Sequence, residues 1–204
     1  MGRRIGIMGG TFNPIHMGHV ILAETAYKEY QLDEVMFLPA KKPPHKCEKD
    51  LVSQEDRLNM IMATVREKSQ FSVSPLEFNR EGITYTIDTM EYLQSKHPDT
   101  CYYYIIGADS LYNLEKWHRA PELLGRTNFL VAARDGHNYE KMQKFAAYLR
   151  KKYHASIQFL NTPMIEISSS MIRERIRHGK SVFSLLPDEV VSYVQQKKLY
   201  QRKV

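Results

Sequence analysis

The fifteen residues from Ile5 to His19 constrain this chain more than any other stretch. The apolar run Ile5, Ile7, Met8 reads as a strand that breaks on Gly9 and Gly10. A polar turn carrying Asn13 and Pro14 follows, and then an apolar-periodic segment over 17–30 reads as a helix. Glycines at a strand exit let the backbone approach a ligand closely, and a helix start presents unpaired N–H groups to the same place. Such a corner attracts phosphate. His16 and His19 are three residues apart, so on a first helical turn they point the same way. The stretch is not a Walker loop, since no Lys-Ser/Thr pair follows its last glycine, and it lacks the G-x-G-x-x-G dinucleotide fingerprint.

Strand-like runs and amphipathic helices alternate along the rest of the chain. Strands are expected at 3–8, 34–39, 71–75, 102–107, 128–133 and 156–160, and helices at 17–30, 54–66, 85–96, 139–152, 169–178 and 187–198. The helix at 54 opens on Ser53 with Asp56 three residues on, a capping signal, and its periodicity puts Leu58, Ile61, Met62 and Val65 on one face. This alternation predicts an α/β, Rossmann-like, doubly wound parallel sheet of about five or six strands with a small C-terminal helical part. The chain is read as one domain, 1–204, with an α/β core over 1–165 and a helical part over 166–204 that completes the site. In such sheets ligands bind beyond the carboxyl ends of the strands, where strand order reverses. Functional residues are therefore expected just after strands.

Several segments meet that condition. Lys42, His45 and Lys46 lie in a proline-rich electropositive loop after the second strand. Thr84, Tyr85 and Thr86 precede a helix, where the threonines offer N-caps and the backbone N–H groups suit an anion. Asp109 follows the fourth strand, where a carboxylate can meet ribose hydroxyls, and Trp117 comes ten residues after Gly107. Arg134 ends the fifth strand, and the serine run from Ser168 to Ser170 precedes a helix carrying Arg173. Charge is uneven: residues 1–143 hold 17 Lys/Arg against 19 Asp/Glu, and residues 144–204 hold 12 against 4. Most of those cations read as solvated helix faces, and only the 173–177 cluster adjoins a motif. No run approaches the ~18 apolar residues of a membrane span. Cys47 and Cys101 are far apart in a chain without an export signal, so free thiols and a cytoplasmic protein off the membrane are expected.

Residues 9–19 resemble the nucleotidyltransferase signature G-G-T/S-F-D/N-P-x-H-x-G-H, with Asn13 at the variable position. Residues 167–173 resemble the second signature of the same superfamily, Ile-Ser-Ser-Thr/Ser-x-Ile-Arg. The loop with Lys42, His45 and Lys46, the Thr84–Thr86 string, Gly107 with Asp109, and Trp117 resemble the nicotinate-nucleotide adenylyltransferases within it. The resemblance implies adenylyl transfer from ATP to nicotinate mononucleotide, releasing pyrophosphate, in NAD biosynthesis. It implies catalytic roles for His16, His19 and Arg173, and an ATP site of Gly9, Gly10, Thr11, Phe12, Gly18, His19, Ser169, Ser170 and Arg173. It also implies a mononucleotide site of Lys42, His45, Lys46, Tyr85, Thr86, Asp109, Trp117 and Arg134. Mg2+ is expected to arrive on the triphosphate, with no dedicated protein site.

Three other readings compete. Phosphopantetheine adenylyltransferases share the first motif but usually carry Thr where this chain has His16. A nucleic-acid module would use the basic final third, and it leaves residues 9–14 unexplained, so no nucleic-acid partner is expected. A zinc site of His16, His19, His45 and Cys47 has irregular spacing, so no protein-held metal is expected either. Homo-oligomerisation is left open.

Overall fold

A computed structural model describes residues 2–41, 51–134, 139–163 and 166–201 of the chain. Six strands form one parallel sheet: β1 (Arg4–Gly10), β2 (Glu34–Pro39), β3 (Phe71–Val73), β4 (Cys101–Ile106), β5 (Asn128–Arg134) and β6 (Ser156–Thr162). Their spatial order is β3-β2-β1-β4-β5-β6. That is the doubly wound Rossmann order, and strand order reverses between β1 and β4. The longer helices are α1 (Met17–Glu29), α2 (Gln54–Val65), α3 (Thr86–Lys96) and α6 (Tyr139–Tyr153), with α7 (Ser169–Arg177) and α8 (Asp188–Gln196) at the C-terminal end. No described helix is long and apolar enough to cross a membrane.

Successive side chains of each strand go to opposite faces, which divides the core in two. Ile5 and Ile7 of β1, Leu38 of β2, Tyr102, Tyr104 and Ile106 of β4, and Phe129 and Val131 of β5 pack with α3 and α6. Met8, Val35, Phe37, Ile105 and Leu130 pack on the other face with α1, α2, α7 and α8. Strands covered on both faces read as nearly continuous apolar runs, which is why β4 is so aromatic and aliphatic. At the crossing of β1 and β4 the fit is tight. A Cβ added at Gly9 would collide with the Tyr104 hydroxyl, so the strand exit requires glycine.

Three elements differ from the sequence expectation. Between β4 and β5 lie two short helices, α4 (Ala108–Leu111) and α5 (Ala120–Arg126), separated by a 3-10 turn at Leu114–Lys116. Each is too short to show a periodic pattern. α2 is rotated from its expected face: Arg57, Met60, Ile61 and Thr64 are buried, whereas Met62 is 49% exposed. The guanidinium of Arg57 takes the inward position because it finds backbone carbonyls there, from Thr11 (2.9 Å) and Ala40 (2.6 Å). Finally, α3 is not capped by a threonine. Its N-cap is Tyr85 with no side-chain bond, and the Thr84 and Thr89 hydroxyls donate to Glu77 instead, at 3.0 and 2.9 Å. The Ser53 cap is present, its hydroxyl accepting from Asp56 N–H at 2.9 Å.

Candidate active site

A cleft of about 1540 Å3 opens at the carboxyl ends of β1 and β4, at the reversal of strand order. Its floor is Gly9 and Gly10 from β1 and Gly107, Ala108 and Asp109 after β4. α1 contributes His16, Gly18 and His19, α3 contributes Tyr85 and Thr86, and α7 contributes Ser169, Ser170 and Arg173. A smaller cavity, about 550 Å3, lies by α3 and the amino ends of β4 and β5, lined by Gln94, Cys101, Arg126 and Asn128 among others. It contains none of the candidate residues.

One half of the cleft gathers the two histidines and the start of α7. His16 is the N-cap of α1, and the His16 and His19 rings lie 3.7 Å apart at 31°. The His16 backbone N–H donates to His19 Nδ1 at 3.2 Å. A neutral imidazole that accepts at Nδ1 carries its proton on Nε2, so His19 keeps a donor on its outer nitrogen. Phe12, at φ 49°, turns its buried ring under His19, with centroids 5.0 Å apart, and supports the imidazole from behind rather than lining the cleft. Gly10 leaves room for that ring, since a Cβ there would meet Phe12 at 3.0 Å.

The serine-run helix closes the same half. Ser168 caps α7, accepting from Met171 N–H at 3.2 Å. Ser169 donates to the Pro14 carbonyl and Arg173 Nη1 to the Asn13 carbonyl, both at 2.9 Å. These bonds join segments 155 and 160 residues apart in the chain. They bring the two histidines, the α7 N-terminus and the Arg173 guanidinium to one wall. Arg173 Nε is buried with no hydrogen-bond partner among the described residues, leaving donor capacity beyond the Asn13 contact. The other α7 cations serve the surface: Arg175 donates to the Ser181 carbonyl and Arg177 pairs with Glu174.

The other half is aromatic and includes the start of α3. Trp117 is partly buried and meets Tyr104 edge-on at 6.1 Å, while Tyr85 stacks on His118 at 4.1 Å. Tyr104 is buried beneath Gly9, and desolvation pushes its phenol up to about 12, so it is neutral at physiological pH. The uncapped N–H groups of the first α3 turn carry the positive end of the helix dipole. Asp109 lies on the floor, largely exposed. Lys42, His45 and Lys46 lie outside the described residues, as does Cys47. Arg134 ends β5, and its side chain likewise lies outside them. Among the described residues no three His, Cys, Asp or Glu side chains converge on a point that could hold a metal.

Three residues important to this architecture carry no motif. Arg57 is fully buried, bracing the carbonyls that end β1 and β2. Glu77 is 6% exposed on the cleft wall; burial raises its pKa, opposed by the bonds from Thr89 and Thr84 and by the Arg80 charge. Tyr200 donates to Asn13 Oδ1 at 2.9 Å. Apolar spacing sets the expected core face of α2 at Leu58, Ile61, Met62 and Val65, which leaves Arg57 out, so no local signal marks any of the three.

The cytidylyltransferase-like family model matches residues 7–175. A protein of Lachnoclostridium phytofermentans named "Probable nicotinate-nucleotide adenylyltransferase" is 46% identical over 192 residues, covering 94% of this chain and 96% of its own length. One of the same name from Carboxydothermus hydrogenoformans is 40% identical over 200 residues, covering 98% and 99%. Among solved structures, Plasmodium falciparum nicotinic acid mononucleotide adenylyltransferase complexed with NaAD superposes with a TM-score of 0.81 over 97% of both chains. At 19% identity, that likeness is one of fold.

Proposed function

The chain belongs to the cytidylyltransferase-like family and, within it, to the nicotinate-nucleotide adenylyltransferases, and from that premise we propose that its cleft transfers the adenylyl group of ATP to nicotinate mononucleotide. The products are nicotinate adenine dinucleotide and pyrophosphate, a step of NAD biosynthesis carried out in the cytoplasm. The observation that carries the reading is the convergence of two phosphate-seeking segments, the His16–His19 turn and the α7 start, held together by Ser169 and Arg173.

The chemistry asks little of the protein by way of covalent steps. An oxygen of the mononucleotide phosphate forms a bond to the α-phosphorus of ATP, and the bond from that phosphorus to the α–β bridging oxygen breaks. Pyrophosphate leaves with the electron pair. The second pKa of a phosphomonoester is about 6, so the nucleophile is already mostly dianionic at neutral pH and needs no general base. Catalysis is alignment plus neutralisation of charge on the leaving group. His19 offers its Nε2 proton and Arg173 a fixed cation with a planar fork, each to phosphate oxygens. His16, Gly9, Gly10 and Thr11 complete the phosphate corner. Mg2+ carried in with ATP would supply further neutralisation there. The described residues of that corner are imidazoles, hydroxyls and a guanidinium, each able to donate a hydrogen bond to a phosphate oxygen.

On the acceptor side, Trp117 gives the pyridine ring an aromatic face and the α3 N-terminus receives its carboxylate. Lys42, His45 and Lys46 are assigned to the acceptor phosphate by family resemblance, and Arg134 to a phosphate or nucleotide contact by its place after β5. Incubation with ATP and nicotinate mononucleotide should yield dinucleotide and pyrophosphate in equal amounts, separable by chromatography. Release of inorganic phosphate instead, or no consumption of the mononucleotide, would refute the assignment.

A further inference from the structure

We propose that Tyr200, in the last described turn of the chain, is a positioning residue for the triphosphate subsite, acting through Asn13 on Arg173. It rests on the reading above for the identity of the nucleotide. The loop from Thr11 to Pro14 is fixed by bonds to four acceptors. Arg57 holds the Thr11 carbonyl, Arg173 the Asn13 carbonyl, Ser169 the Pro14 carbonyl, and Tyr200 the Asn13 side-chain oxygen. Asn13 is 4% exposed, and its Oδ1 also accepts from Val52 N–H at 3.3 Å. Both faces of one residue are thereby clamped: its carbonyl by the guanidinium that meets phosphate, its side chain by a phenol from the far end of the chain. Losing the phenol removes one of the bonds on the Asn13 side chain and so loosens the residue whose carbonyl anchors Arg173.

The backbone leading to Tyr200 is bent for this contact. Lys198 (φ 52°) and Tyr200 (φ 62°) both occupy the left-handed region, which costs energy for any residue with a Cβ. The Leu199 N–H turns back to the Val194 carbonyl at 3.0 Å, closing α8 so that the phenol reaches inward. Tyr193 on the same helix offers a contrast: among the described residues its hydroxyl bonds Asp56 (2.9 Å) and Asn59 (3.1 Å) of α2.

Tyr200→Phe keeps the ring and removes one hydrogen bond, so it should raise the KM for ATP about threefold to tenfold. The KM for the mononucleotide should change less than twofold. Tyr193→Phe, which removes a comparable bond between α8 and α2, should leave the ATP KM unchanged while lowering Tm as much or more. In an Asn13→Ala background Tyr200→Phe should add less than twofold to the ATP KM, because the path is already cut. An unchanged ATP KM in Tyr200→Phe, whatever its Tm, overturns the proposal. So does an equal rise for both substrates, or simple additivity in the double variant. Calorimetric titration of ATP alone, comparing wild type with Tyr200→Phe, tests the inference without any acceptor, whereas dinucleotide formation by wild type tests the reading on which it rests.

Discussion

His19 is the group whose chemistry is most narrowly set by its neighbours. Its Nδ1 accepts from the His16 backbone, so its proton sits on Nε2, on a ring that lines the cleft. A donor that meets charge developing on leaving phosphate acts on the transition state more than on the ground state, and losing one lowers turnover by roughly a hundredfold to a thousandfold. His19→Ala should therefore cut kcat by that factor while the ATP dissociation constant moves by no more than about tenfold. A variant with near-normal kcat would remove His19 from the chemistry. Arg173 makes a different prediction. Arg173→Lys keeps the charge but cannot hold the Asn13 carbonyl and a phosphate with one planar fork, so the ATP KM should rise although net charge is unchanged. Equal ATP KM values for wild type and the lysine variant would make Arg173 an ordinary helix cation.

At the scale of elements, the least expected arrangement is the mooring of α3. Thr84 and Thr89 both donate to buried Glu77 rather than capping the helix, which leaves the first-turn N–H groups for a ligand. Burial raises the Glu77 pKa, so the folded state binds its proton more tightly than the unfolded chain does. The stability this group contributes is full below its unfolded pKa and is lost as pH rises through the raised folded value. Compared with Glu77→Gln, wild type should gain in relative Tm as pH is lowered from 7 toward 5; a pH-independent difference would show that Glu77 does not titrate in this range. Such moorings are hard to read in a sequence. β1, β4 and the two signatures were legible because short apolar runs and contiguous motifs are local patterns. The partners of Glu77, Arg57 and Tyr200 are seven, 46 and 187 residues away, and neither periodicity nor composition reports them. The same holds for α2: its expected face followed apolar spacing, and the buried guanidinium, satisfied by distant carbonyls, turned it. α4 and α5, at four and seven residues, are shorter than the window in which helical period can be seen.

For the whole molecule, the strand order β3-β2-β1-β4-β5-β6 sets a phosphate wall from α1 and α7 across from an aromatic, anion-seeking wall from α3 and Trp117. Two substrates can thus meet end to end over β1 and β4. This arrangement predicts a choice of acceptor. A carboxylate accepting from backbone N–H groups makes charge-assisted bonds, roughly twice as strong as neutral ones, and the helix dipole adds to them. A carboxamide brings an NH2 donor to a helix start that offers donors, leaving groups unpaired at about 1–3 kcal/mol each. One or two such mismatches correspond to a preference of about tenfold to several hundredfold in kcat/KM. The measurement that tests the account most directly is pyrophosphate release with ATP and three acceptors: nicotinate mononucleotide, nicotinamide mononucleotide and phosphopantetheine. The account predicts the highest kcat/KM with nicotinate mononucleotide, at least about tenfold lower with the nicotinamide form, and no turnover with phosphopantetheine. Equal use of the two mononucleotides, or turnover of phosphopantetheine in preference to either, would contradict it.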